Sequence, residues 1–296
     1  MTWGDVTANL LIRMAKASFR HVTIVGVGLI GGSCGLAIKK LDSSVRIAGV
    51  GRRRASLDAA LNAKAIDTAH LDATEVAGQT DLVILSTPVC AFEKHLRSIG
   101  PLLKKTAIVT DVGSTKSVVV RAASRALGRT GRFVGSHPMA GSESKGVAHA
   151  NADLLKGAVC IVTPTGATPQ AVTRRVERLW KDLGMKTLRL SPADHDRAVA
   201  KVSHLPHALA ALMMTVCARS DMSVAATGFR DVTRLASGDA EMWRDIFTTN
   251  RKAILAAIDD FDEALMQLRD MLSLTDAPGI EKFLKAAKKR RDAMVE

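Results

Sequence analysis

The sequence predicts an α/β protein, a doubly wound, mainly parallel sheet followed by a C-terminal all-helical domain. Three observations carry this. Short β-branched apolar runs alternate with helical stretches from residue 21 to about 190, a glycine-rich turn follows the first run, and beyond Ser191 strand character gives way to long Ala/Leu/Met-rich periodicity.

The elements follow in order. Residues 22–25 are strand-like and 29–41 helical, and further strand-like runs occupy 45–50, 82–85, 107–110, 133–134 and 159–162. Buried β-rich runs separated by helices imply a parallel sheet with both faces covered. Pro164, Gly166 and Pro169 mark a turn before a helix over 172–183. In the last third, Ala253, Ile254, Ala257, Ile258, Phe261 and Leu265 recur at helical spacing. The expected division is an N-terminal extension over 1–20, a dinucleotide-binding domain over 21–190 and a helical substrate and dimerisation domain over 191–296.

Composition narrows the function classes. A chain of 296 residues that is 47% hydrophobic and 24% charged can bury a sizeable core and is not of a disordered type. No apolar run is expected to reach the ~18 residues that cross a membrane. Cys34, Cys90, Cys160 and Cys217 lack paired spacing, which favours reduced thiols in a cytoplasm over a metal site or disulfides. The net charge of +13 is dispersed apart from Arg52-Arg53-Arg54 and Lys288-Lys289-Arg290-Arg291, and tyrosine is absent. With aromatics at only 3%, stacking platforms are scarce, and the excess is assigned to solvated helix faces and an anionic small-molecule ligand rather than to nucleic acid.

The chemistry begins at Gly26-Val27-Gly28-Leu29-Ile30-Gly31, between a strand and a helix. In such a Rossmann-type unit, Gly26 permits the tight turn, Gly28 admits the pyrophosphate, Gly31 allows close helix packing, and the helix amides around Leu29 and Ile30 favour negative charge. At the end of the second strand, Gly51 precedes Arg52 and Arg53, where an NAD site carries an acid. Guanidinium groups suit a 2′-phosphate, so NADP is favoured and NAD is the alternative; these arginines would otherwise be a solvated turn. Ser86-Thr87-Pro88 closes another strand, placed to line the cofactor ribose. Asp111-Val112-Gly113-Ser114-Thr115-Lys116 closes a third, where Ser114 either offers a hydroxyl to the site or, like Thr115, caps a helix.

The segment Gly135-Ser136-His137-Pro138-Met139-Ala140-Gly141-Ser142-Glu143 places one imidazole in a loop of small residues, where a substrate can lie against it. Histidine is the side chain best suited to moving a proton near neutral pH. His70, His95, His149 and His195 are read as bland, and at least one of His204 and His207, near a helix start at Pro206, is read as structural.

The series GVGLIGGS at 26–33, DVGSTK at 111–116, GSHPMAGSE at 135–143, SHLPH at 203–207 and GFRDVTR at 228–234 resembles the prephenate/arogenate dehydrogenase family over nearly the whole chain. The resemblance implies oxidative decarboxylation of a cyclohexadienol with hydride transfer to a nicotinamide, in tyrosine biosynthesis. It implies that His137 hydrogen-bonds the ring hydroxyl and that Ser114 helps orient it. It further implies that Arg234 pairs with a substrate carboxylate, that Ser203 and His207 lie near the substrate side chain, and that the helical domain forms a homodimer. Arg230 and Arg234 stand one helical turn apart, a spacing that suits an anionic substrate, although Arg230 serves equally as a surface ion pair. Asp231 is placed to meet an amino group and Glu143 to gate the entrance. No regulatory domain or fused mutase is expected. The alternatives are another two-domain NADP oxidoreductase, for a β-hydroxy acid or imine, and a non-catalytic nucleotide- or nucleic-acid-binding module.

Overall fold

The computed structural model describes residues 18–128, 130–141 and 144–294. An eight-stranded sheet runs in the order β3-β2-β1-β4-β5-β6-β7-β8. Its first five strands in sequence are β1 (His21–Val25), β2 (Arg46–Val50), β3 (Thr68–His70), β4 (Leu82–Leu85) and β5 (Ile108–Asp111). Side chains alternate across the pleat, so Leu82 and Ile84 enter one core while Val83 and Leu85 enter the core on the opposite face. Helices cover both cores: α1 (Leu29–Leu41), α2 (Arg54–Asn62), α3 (Thr74–Ala77), α4 (Phe92–Ile99), α5 (Ser117–Leu127) and α6 (Gln170–Asp182). The doubly wound sheet inferred from the alternating runs is therefore present.

The outer half of the sheet departs from a uniform parallel pattern. β6 (Phe133–Pro138) runs parallel to β5, but β7 (Val159–Thr163) pairs antiparallel to β6, with His137 opposite Ile161. β8 (Lys186–Arg189) then lies parallel to β7. The expectation of a loop around His137 is corrected here. The ladder to β7 extends the strand through Pro138, so the histidine projects from a sheet rather than from a loop.

After β8 the described chain is helical: α7 (Pro192–Val199), α8 (Leu205–Val216), α9 (Thr227–Thr233), α10 (Ala240–Thr249), α11 (Arg251–Ser273) and α12 (Ala277–Asp292). The helix start expected at Pro206 is found at Leu205, the first residue of α8, but it is not a free end. One π turn, Ala200–His204, joins α7 to α8 without a break. A wider turn accommodates a proline whose missing N–H and bulky ring would disrupt an α ladder. The joined helix, Pro192–Val216, also overturns the expectation that no run has the length and apolarity of a membrane span, with a mean hydropathy of 1.2 in its most apolar stretch. It bears Asp194, Asp196, Arg197 and Lys201 at its start, and Asp196 docks against the sheet domain.

Ile84, fully buried between β1 and β5, reports on this scaffold. Ile84→Ala should lower unfolding free energy by about 2–5 kcal/mol, read from urea denaturation, because a packed parallel sheet collapses poorly around a lost branched side chain.

Candidate active site

The chain reverses direction across the sheet between β1 and β4, and ligands of open α/β sheets bind at that crevice. Gly26 sits there at φ +100°, where a Cβ would come within 2.5 Å of the Ser86 carbonyl oxygen. Only glycine satisfies both the left-handed backbone and this approach. A Cβ on Gly31 would stand 2.1 Å from the Gly26 carbonyl oxygen, which locks the turn against α1. Gly28, in contrast, has nothing within 4 Å of its would-be Cβ and caps the start of α1.

Open space at Gly28, beside the unsatisfied amides of Leu29 and Ile30, fits a dinucleotide pyrophosphate. The first turn of α1 carries no acid and its last turn carries Lys39 and Lys40, a charge order that matches the helix dipole. Ser86, Thr87 and Pro88 follow β4 at the same end, with the Ser86 hydroxyl against Gly31. Arg52 and Arg53 are exposed after β2 and form no ion pair among the described residues, whereas Arg54 is paired with Asp58 at 3.0 Å.

His137 lies at the carboxyl end of β6, the same edge of the sheet, with 9% of its surface exposed. Its Nδ1 is 2.8 Å from His195 Nε2, and His195 Nδ1 is 2.9 Å from Asp196 Oδ1. The Asp196 carboxylate accepts the amide of Lys116 at 2.7 Å and that of Ser117 at 2.8 Å. Neither Ser114 nor Thr115 caps α5, then; a residue of α7 does so from eighty positions away. Asn250 completes the frame, donating to the Asp196 carbonyl at 2.8 Å and lying 3.1 Å from His204 Nδ1.

Beneath this row lies a fully buried ion pair, Lys116 with Asp111. Asp111 also accepts the Gly113 amide at 2.8 Å and the Ser136 amide at 3.0 Å, so the residue before the histidine is pinned to the turn after β5. Ser136 is held as well by Thr110 and by the Trp180 indole, each at 2.9 Å. Burial pushes the Asp111 carboxyl upward against the pull of Lys116. Burial, reinforced by His195, Lys116 and His204, lowers His137 well below 6.5 and leaves the imidazole neutral.

The helical domain supplies a second group of side chains. His207 stacks on Trp243 with ring centroids 3.6 Å apart and accepts or donates nothing beyond its 2.9 Å contact with the Ser203 carbonyl among the described residues. His204 meets the same indole edge-on at 6.0 Å. Burial lowers His204 to about 4, so it is a neutral structural partner of Asn250. Burial also lowers His207, and the charge of Arg234 adds to that effect. Lys145, in the segment after β6, pairs with Asp239 at the start of α10 and ties the two domains together.

The sequence-expected residues are only partly brought together. The glycines, Ser86, Thr87, Pro88 and His137 share one end of the sheet. His207 stacks on Trp243, meets the Ser203 carbonyl and feels the charge of Arg234. Ser114 is half-buried in the turn after β5, but its hydroxyl has no hydrogen bond among the described residues, and His195 holds His137 instead. Arg230 and Asp231 are exposed on α9, which ends before Arg234. Glu143 lies outside the described residues. His195, expected to be bland, and Trp243, Asn250 and Asp196 were not singled out; only folding brings them to the histidine.

Lys116→Met leaves the Asp111 carboxylate buried without its cation. Unfolding free energy should fall by about 3–5 kcal/mol in urea, and much of the loss should return when Asp111→Asn is added.

Comparison with known proteins agrees with this geometry. The family model described as prephenate dehydrogenase, nucleotide-binding domain, matches residues 34–189, and that described as prephenate dehydrogenase, dimerization domain, matches residues 191–286. The prephenate dehydrogenase of Bacillus subtilis is 35% identical over 283 residues, covering 92% of this chain and 76% of that protein. A crystal structure of prephenate dehydrogenase from A. aeolicus, in complex with hydroxyphenyl propionate and NAD+, superposes with a TM-score of 0.88 at 33% identity, covering 94% of this chain and 99% of that one. Synechocystis arogenate dehydrogenase superposes with a TM-score of 0.82 at 30% identity, covering 93% and 99%. With both domains matched in order and a glycine cradle ahead of a buried histidine, the chain belongs to the prephenate dehydrogenase family of oxidoreductases.

Proposed function

We propose that this chain oxidatively decarboxylates prephenate, arogenate or both, with hydride transfer to a nicotinamide dinucleotide. The observation that carries the reading is His137, neutral, nearly buried and engaged through Nδ1 alone among the described residues, at the sheet end that bears the glycine cradle. Bound in that cradle, the dinucleotide supplies the hydride acceptor. In the substrate the C4–H bond breaks with its electron pair leaving as hydride, and the bond to the ring carboxylate breaks with its pair entering the ring. Carbon dioxide departs and a phenol remains. His137 Nε2 accepts a hydrogen bond from the C4 hydroxyl, holds its proton as positive charge develops at C4, and returns it to the phenolate.

Arg234 is assigned to a substrate carboxylate, with Ser203, His207 and the Trp243 ring beside the side chain. Arg230 and Asp231 are placed at the outer edge of that region, Glu143 at its entrance, and Ser114 beside the nicotinamide. The domains divide near residue 190, where β8 ends and α7 begins. For the cofactor, the NAD+ complex of the A. aeolicus relative supports NAD+, and the two unpaired arginines after β2 support use of NADP+ as well. A homodimer through the helical domain accounts for the apolar row Leu255, Ile258, Phe261 and Leu265 exposed along α11. The free thiols suit work in a cytoplasm.

Turnover of each substrate with NAD+ and NADP+, followed at the reduced-nicotinamide absorbance, tests the reading; no turnover in any pairing contradicts it. His137→Asn should depress kcat by about 10²–10⁴-fold with cofactor affinity near normal. The sign of the pH effect follows from the lowered histidine. The active form is unprotonated, so kcat rises with pH through a value well below 6.5 and is level across the neutral range. Arg234→Ala should chiefly raise KM, as expected for a carboxylate anchor.

A further inference from the structure

The hydrogen-bond order behind His137 has one self-consistent direction. The carboxylate of Asp196 can only accept, so the His195 Nδ1, 2.9 Å away, must donate to it. Burial holds His195 neutral against the opposing influence of Asp196. A neutral imidazole that donates from Nδ1 has a lone pair at Nε2. That atom is the one 2.8 Å from His137 Nδ1, which must therefore carry the hydrogen. His137 in turn is left with a lone pair on Nε2, which has no hydrogen bond among the described residues.

We propose that Asp196 and His195 are positioning residues that fix the tautomer of His137, so that its free nitrogen meets the substrate as a proton acceptor. The proposal rests on the assignment of His137 to the hydroxyl proton. Neither residue touches the reacting atoms. Asp196 is itself immobilised from two sides, by the α5 amides through its carboxylate and by Asn250 through its carbonyl. Its carboxyl stays ionised because, although burial opposes charge, hydrogen bonds from His195, Ser117 and the Lys116 amide outweigh that cost. The groups facing the row are Lys116 from the start of α5, Asp111 from β5 and His204 from the π turn. His204 is uncharged and Lys116, although paired with Asp111, still opposes protonation, so Asp196 is the anion hydrogen-bonded into the row that offsets the cation formed when His137 takes a proton. The same logic operates in Ser-His-Asp triads, where exchanging the carboxylate for an amide selects the wrong tautomer and costs about 10⁴-fold in kcat.

Two measurements test this. In the ¹⁵N spectrum of histidine-labelled wild-type protein with NAD+ bound at neutral pH, His137 should show a protonated Nδ1 and an unprotonated Nε2. The reverse assignment would overturn the proposal without any reference to activity. In kinetics, Asp196→Asn should lower kcat by about 10²-fold or more while the NAD+ dissociation constant stays within about twofold. Because that variant also weakens the cap of α5, His195→Gln and His195→Leu form a second comparison. The glutamine carbonyl can still accept the His137 Nδ1 hydrogen, so it should retain kcat at least tenfold above the leucine variant at equal NAD+ affinity. Equal kcat for the two, or an Asp196→Asn variant as fast as wild type, overturns the proposal. A wild-type chain that turns over neither substrate would instead reject the assigned reaction, and the nitrogen spectrum would still decide the tautomer.

Discussion

Everything at this site depends on one carboxylate held at the start of one helix. Asp196 belongs to the helical domain, yet its oxygens take the two amides that α5 of the sheet domain leaves unsatisfied. Four amides at a helix start lack internal partners, and the helix dipole favours an anion there. The contact thus docks the domains, caps α5 and fixes His195 together. It also aligns the end of β5, the end of β6 and the start of α7 within a few ångströms, so the histidine and the glycine cradle share one edge of the sheet.

The Lys116 and Asp111 pair answers a second constraint. Two opposite charges without exposure are costly to desolvate, and such a pair is weak evidence for stability alone. Its position explains its use. Asp111 spends its remaining capacity on the Gly113 and Ser136 amides, which shapes the turn after β5 and holds β6 in register beside His137. Placed beneath the imidazole, the lysine also discourages protonation of the resting base, together with burial. The imidazole of His137 is thereby kept without a charge of its own.

Much of this was legible in the sequence where the signal is local. The glycine turn, the apolar runs of β1 and β4 and the whole of α1 follow from spacing over a dozen residues. The family motifs singled out His137 and Arg234. The rest depended on contacts between distant segments. His195 and Asp196 carry no local signature, because their meaning comes from residues 58 and 79 positions earlier. The extension of β6 through Pro138 requires the β7 ladder, which sequence periodicity around His137 does not show. Likewise, Pro206 marks a helix start in most contexts, and only the π turn before it lets the helix continue. Trp243 stood outside every motif, although its ring organises both His204 and His207.

The most direct test of the central claim is a crystal structure of the chain with NAD+ and the product phenol, 4-hydroxyphenylpyruvate. The account predicts the phenolic oxygen roughly 2.6–3.2 Å from His137 Nε2, with Nδ1 still on His195 and Asp196 still on the amides of α5. A phenolic oxygen bound elsewhere, or a His137 ring turned away from His195 in that complex, would contradict it.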